Sequence, residues 1–243
     1  MVKVTLSADN LKQLVDILNI YDVDAPIIFE ENEVTVKIID ITRTALVVAK
    51  IEKDVFTEYD LGDIEQEIIC LPKDKLGSIL KAMKGNVTIE TKDGWIEFSS
   101  GKSSFKLRNV GYDENLLKLD LKLEYENSFD MTPEQFKYVF DITSIFDQYT
   151  IIEYKDKGVS FKSASDIEGS ASITYSEAEL NNVEGDGEAT SAFSSSYFKG
   201  IMKLKPMRFI LSVAEDRPIR VVAPLMEGKC KCTVIVAPVI LDE

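Results

Sequence analysis

An internal duplication constrains this chain more than any other feature. Leu11-Lys-Gln-Leu-Val-Asp-Ile17 matches Phe136-Lys-Tyr-Val-Phe-Asp-Ile142 at an offset of 125 residues, and Val34-Thr-Val-Lys37 matches Val159-Ser-Phe-Lys162 at the same offset. Leu76-Gly-Ser-Ile-Leu-Lys81 resembles Phe198-Lys-Gly-Ile-Met-Lys203 at an offset of 122. Three matches in order at nearly one offset read as two copies of one domain. A chain of 243 residues has room for two modest domains, each with its own core.

Apolar spacing gives the content of each copy. Four segments carry the i, i+3, i+4 pattern of an amphipathic helix: 8–20, 72–84, 132–146 and 194–205. Ser7 and Thr132 are candidate caps, with Pro133 at a first helical position. Elsewhere short apolar runs alternate with turns. Ile27–Phe29 with Val34–Ile38, Val87–Thr91 with Trp95–Phe98 across Asp93-Gly94, and Phe209–Val213 with Ile219–Val222 read as hairpins. Each half runs strand, helix, strands, helix, strands, so the fold class is α+β with two helices packed on antiparallel sheets per domain. The expected domains are residues 1–111 and 128–243. The connector 112–127 carries Leu116, Leu117, Leu119, Leu121 and Leu123 between charges and reads at its end as an extended strap.

Composition removes several chemistries. There is no His, which excludes Ser-His-Asp and Cys-His nucleophiles and the common zinc sites. The three cysteines, Cys70, Cys230 and Cys232, read as small buried hydrophobes in a reducing compartment. The first residues have no basic region followed by an apolar stretch, and no apolar run reaches membrane-spanning length, so the expectation is an intracellular, soluble protein. Glu184-Gly-Asp-Gly-Glu188 is too short for an EF-hand loop and reads as a solvated turn. No metal or cofactor is expected.

The charge is unevenly placed. The chain carries −14, yet the four helix spans hold nine Lys against five acids, a net of +4, leaving −18 on the rest. The second helix of each half contributes +3 and each first helix −1. Lys81 and Lys84 lie off the apolar stripe of their helix, and Lys199 and Lys203, four apart, share a face. A lysine-rich solvent face is the ordinary reading of one such helix. Two like domains with their helices on one side would instead gather these cations into a basic surface suited to phosphates.

The residues resemble the PCNA-type sliding clamps of archaea and eukaryotes over essentially the whole chain. The resemblance rests on Ile38-Ile-Asp-Ile-Thr-Arg-Thr-Ala-Leu46, Val55-Phe-Thr-Glu-Tyr59, Leu71–Lys84, Ala214-Glu-Asp-Arg-Pro-Ile-Arg-Val-Val222 and the ending Ala237-Pro-Val-Ile240 followed by acids. It implies two repeated clamp domains per chain in a closed trimeric ring, with helices lining a hole around duplex DNA. The implied function is that of a processivity factor without enzymatic activity. It would tether DNA polymerase, clamp loader, flap endonuclease and ligase through short peptide motifs, in the nucleoid or cytoplasm, or in the nucleus of a eukaryote.

The resemblance also implies sites. DNA-facing residues would be Lys12, Lys81, Lys84, Lys137, Lys199 and Lys203. Asp141 and Ser78 stand where relatives often carry a base. The partner pocket would use Ile39, Arg43, Leu46, Leu119, Leu121, Leu123, Pro218, Ala237, Pro238, Val239 and Ile240. Subunits would join through Ser104, Phe105, Lys106, Leu107 and Arg108 on one edge, and through Ser170, Ala171, Ser172, Ile173 and Thr174 on the other. Two alternatives stand beside this reading. One is a specialised subunit of a heterotrimeric or checkpoint-type clamp. The other is a carboxylate hydrolase built on Asp40 and Asp166.

Overall fold

The computed structural model describes residues 1–112, 114, 118, 123–146, 148–165 and 167–240, without the side chains of Lys73 and Asp74. The chain divides into two compact units. The first comprises Met1–Ile41, Val47–Leu119 and Leu225–Cys232, and the second Thr42–Leu46, Asp120–Pro224 and Thr233–Glu243.

The element order of the N-terminal half is β1 (Lys3–Ser7), α1 (Ala8–Leu18), β2 (Pro26–Glu30), β3 (Glu33–Ile39), β4 (Ala45–Glu52), β5 (Glu58–Asp60), β6 (Gln66–Cys70), α2 (Lys73–Ala82), β7 (Asn86–Lys92), β8 (Trp95–Ser100) and β9 (Ser103–Arg108). The C-terminal half repeats it as β10 (Asn127–Met131), α3 (Pro133–Thr143), β11 (Tyr149–Lys155), β12 (Gly158–Ser165), β13 (Gly169–Tyr175), β14 (Asn181–Glu184), β15 (Ala189–Ser194), α4 (Phe198–Ile201), β16 (Phe209–Val213), β17 (Ile219–Leu225) and β18 (Cys230–Val236). The sheet orders repeat too. The order β5-β1-β7-β8-β9 is matched by β14-β10-β16-β17-β18, and β6-β2-β3-β4 by β15-β11-β12-β13. Duplication at the level of sequence is therefore duplication of topology.

The hairpins form in the expected places, with Phe29 opposite Val34, Lys92 opposite Trp95 and Ile210 opposite Val222. The β7–β8 turn needs two left-handed residues, and Asp93 (φ 50°) and Gly94 (φ 75°) supply them. Alternate residues of β7 (Val87, Ile89, Thr91) and of β12 (Val159, Phe161, Ser163) are buried, the period of strands packed on one face.

The helices are shorter than their apolar patterns. Helix α1 opens on Ser7, whose hydroxyl accepts from the Asn10 N–H, and α3 opens on a full capping box between Thr132 and Gln135. Helix α2 stops at Ala82, because Met83 is already extended and Gly85 adopts φ +66°. The last helix departs most from expectation. Only Phe198–Ile201 is α-helical, following a 3₁₀ turn over Ser195–Tyr197. Beyond it Lys203 and Leu204 donate to Gly200 and Ile201 at 3.2 and 3.0 Å, the tighter i to i+3 spacing. Gly200 inside the turn and Pro206 after Lys205 both disfavour a longer α-helix.

Candidate nucleic-acid interface

The core dictates which side of each helix meets solvent. In the first unit α1 buries Leu11, Leu14, Val15, Ile17 and Leu18, leaving Lys12 exposed. Helix α2 packs on α1, buries Leu76 and Ile79, and leaves Lys81 exposed, with Lys84 exposed just beyond its end. In the second unit an aromatic cluster does the same work. Phe140 of α3 stacks on Phe198 of α4 with centroids 3.9 Å apart and planes within 11°, and Phe136 meets Phe198 edge-on at 6.2 Å and stacks on Phe209 at 4.2 Å. With these rings turned inward, Lys137, Lys199 and Lys203 lie exposed.

The cations differ in their company. Lys3 pairs with Glu58 at 2.7 Å, Lys50 with Glu33 at 2.8 Å, Lys155 with Glu188 at 3.0 Å, Lys157 with Asp186 at 3.3 Å and Lys229 with Asp54 at 2.8 Å, all on strands and turns. The carboxylate hydrogen bond raises the pKa of Lys3, Lys155, Lys157 and Lys229. Among the described residues, Lys81, Lys84, Lys199 and Lys203 have no ion-pair partner. Lys137 differs from these four, since its ammonium contacts Asp141 one turn on. An uncompensated ammonium keeps its full attraction for a polyanion, whereas a paired one acts at a distance as a weak dipole.

The residues proposed for subunit contact lie on two sheet edges. Strand β9 ends the five-stranded sheet and β13 ends the four-stranded one. On β9, Ser104, Lys106 and Arg108 are exposed and Phe105 and Leu107 half-buried, while on β13 Ser170, Ser172 and Thr174 are exposed and Ala171 and Ile173 half-buried. Each edge offers one side of its main chain for pairing. Residues 102–108 hold three bases and no acid, whereas 168–177 hold two acids and no base. Trp95, beside the basic edge, is covered by Arg108 at 4.9 Å and Lys106 at 5.6 Å. Sequence reading missed this clamp, because only the strand register brings the three together.

Of the residues expected to bind partners, Ile39 is half-buried and ends β3 in the first unit. The others described belong to the second unit. Arg43 is exposed in a left-handed turn (φ 59°), Leu46 is buried, and Leu123, Pro218, Ala237, Pro238 and Val239 are half-buried. Ile240 is 89% exposed. The Ala237 N–H donates to the Thr44 carbonyl at 2.9 Å and the Val239 N–H to the Ala192 carbonyl at 2.7 Å, so the C-terminal segment is laid along the protein. Thr42 and Tyr197 share a hydroxyl hydrogen bond at 2.8 Å. Leu119 and Leu121 lie outside the described residues. Residues 123–126, at the end of the segment read as an extended strap, carry no strand pairing. That stretch is instead fastened by arginines, with Arg220 over the Tyr125 ring at 4.5 Å and Arg217 donating to the Glu124 carbonyl at 3.4 Å. The run Arg217-Pro-Ile-Arg220 supplies both anchors.

A depression of about 640 Å³ in the first unit is lined by Glu31, Asp60, Asp63 and Glu65 around Tyr59 and Lys53, a lining that repels phosphate. Cys70, Cys230 and Cys232 are buried free thiols. Asp40 is buried, and Asp166 lies outside the described residues. The acidic turn after β14 is tied down through Asp186 and Glu188 by the two lysines named above. Among the described residues, no group of His, Cys, Asp and Glu could hold a metal ion, and no helix is long and apolar enough to cross a membrane.

No family model matches the chain. An Archaeoglobus fulgidus protein named DNA polymerase sliding clamp is 24% identical over 251 residues, covering 100% of both chains. A Picrophilus torridus protein of the same name is 26% identical over 225 residues, 93% of this chain and 79% of that one. Among solved structures, the fold is similar to that of Archaeoglobus fulgidus PCNA bound to the C-terminal region of FEN-1, with a TM-score of 0.86, 23% identity and 100% of both chains covered. The chain thus has the PCNA-type sliding-clamp fold.

Proposed function

We propose that this chain is a DNA sliding clamp of the PCNA type. It acts as a processivity factor that encircles duplex DNA in a trimeric ring and tethers DNA polymerase and other replication and repair proteins. One observation carries the reading: on an acidic protein of net charge −14, Lys81, Lys84, Lys199 and Lys203, on and just beyond the second helix of each half, stand exposed without an ion-pair partner among the described residues, while Lys3, Lys50, Lys155, Lys157 and Lys229 are each tied to a carboxylate. Such a surface holds phosphates without reading bases.

The mechanism is topological. A closed ring cannot leave sideways, so weak and exchangeable lysine–phosphate contacts suffice, and a bound polymerase is kept at high effective concentration over its template. Clamp domains 1–111 and 128–243, joined by the connector 112–127, place two helices each toward the duplex. The basic edge around Ser104–Arg108 meets the acidic edge around Ser170–Thr174 of the next subunit. Two unlike edges of opposite charge make a head-to-tail contact, the kind that closes rings, and main-chain pairing removes both free edges. Partner peptides dock by Ile39, Arg43, Leu46, the leucines 119, 121 and 123, Pro218 and the segment Ala237–Ile240, with extended flanks pairing along that segment. The chain performs no chemistry of its own and works where DNA is replicated.

The test is polymerase stimulation on primed DNA by Lys81→Glu with Lys203→Glu. The double variant should fold as wild type and stimulate weakly. Undiminished stimulation would remove the helix lysines from the account.

A further inference from the structure

We infer that Asp141 keeps Lys137 out of DNA contact, so that the second unit carries the duplex on Lys199 and Lys203 while α3, with a net charge of −1, is a spacer. This rests on the reading of the helix faces as the DNA track. Lys137 and Asp141 are four residues apart, on the side of α3 opposite its buried stripe Phe136, Val139, Phe140 and Thr143. Their side chains remain 62% and 48% exposed, so the pair stands in the solvent a phosphate would enter. A phosphate approaching Lys137 meets Asp141 within the screening length, and the two near charges cancel beyond a few ångströms.

The neighbouring helix has the opposite character. Residues 194–205 hold Lys199, Lys203 and Lys205 and no acid, whereas α3 holds Glu134 and Asp141 against Lys137. The duplication retains the same spacing in the other half, where Lys12 precedes Asp16 by four residues. Each half therefore sets a basic second helix beside a first helix whose charge is offset. The duplex is gripped at alternate helices and released between them, which keeps net attraction low while leaving the contacts that centre the DNA.

The experiment is a double-mutant cycle read as salt-dependent retention on short linear duplex DNA, from whose ends a ring is free to leave. Asp141→Asn should bind more tightly, with a log K against log salt slope steeper by about 0.9 for each lysine freed, roughly a 3-fold greater loss per lysine between 50 and 200 mM salt. Lys137→Ala in the wild-type background should change retention less than 2-fold, but in the Asp141→Asn background it should return the slope to the wild-type value. A purely structural role for the pair would shift melting and leave the slope unmoved. An unchanged slope in Asp141→Asn, or a Lys137→Ala effect as large as that of Lys203→Ala, would overturn the inference. Lys81→Glu with Lys203→Glu runs alongside. If that variant is retained as wild type, the DNA-track reading fails; if it is lost while Asp141→Asn is silent, only the role of Asp141 fails.

Discussion

Phe198→Ala separates packing from charge at the surface proposed to meet DNA. Helix α4 is four residues long, far below the length at which a helix persists in water. It is held by Phe198, which is fully buried, stacked on Phe140 at 3.9 Å and edge-on to Phe136 and Phe193 at 6.2 and 6.4 Å. Phe to Ala in such a core costs about 4 kcal/mol, from lost transfer energy and the cavity left behind. For a chain of this size each kcal/mol lowers Tm by about 2–4 °C, so the transition of the second unit should fall by roughly 12 °C. Because Lys199 and Lys203 ride on the same turn, retention on short linear duplex DNA should fall with it. The comparison is Lys203→Ala, exposed, which should melt within ~0.5 kcal/mol of wild type and lose only the DNA contact. Circular dichroism melting and retention assays on both variants decide the matter. A Phe198→Ala protein that melts within ~2 °C of wild type, or that keeps full retention, would refute the claim that this ring places the basic turn.

Two further outcomes follow from buried titratable groups. Burial pushes the Tyr59 hydroxyl up to about 12, and that hydroxyl donates to the Glu30 and Glu33 carbonyls at 2.6 and 3.3 Å, so the folded state holds the proton more tightly than the unfolded chain. Its contribution is complete below pH 10 and drains as pH rises from 10 toward 12; denaturant midpoints at pH 9 and 11.5 should fall less in Tyr59→Phe than in wild type, and equal falls would contradict this. Burial, with Asp24 adding, raises Cys70 to about 11, and burial raises Cys230 to about 12 and Cys232 well above its usual value. An aromatic disulfide reagent at pH 8 should modify no thiol in the native protein and all three after denaturation, whereas fast native labelling would mean that the β18 face is open.

Much of this was legible in the sequence for a stated reason. The stripes Leu11–Leu14–Val15–Leu18 and Phe136–Val139–Phe140 are periodic because one helix face must be buried, and the Asp93-Gly94 turn forms because left-handed residues were supplied. Cys230 and Cys232 share a buried face with Lys231 exposed between them, as their spacing in a strand requires. What escaped depends on groups distant in sequence. The Arg108–Trp95–Lys106 clamp needs the β8–β9 register, and Arg220 finds Tyr125 only after β17 is placed. The shortened α4 escaped because apolar spacing does not distinguish an α-helix from an α turn flanked by 3₁₀ turns. Residues Lys137 and Asp141 were visible as a base and an acid, but their contact, which decides their electrostatic meaning, was not.

The central claim is that this protein stays on DNA by linkage rather than by adhesion. The most direct measurement loads it onto nicked circular DNA, washes in salt high enough to screen lysine–phosphate contacts, and then cuts the circle once. Retention on the circle followed by loss after the cut is the predicted result. Equal retention before and after the cut, or loss from the intact circle at the same salt, would contradict it.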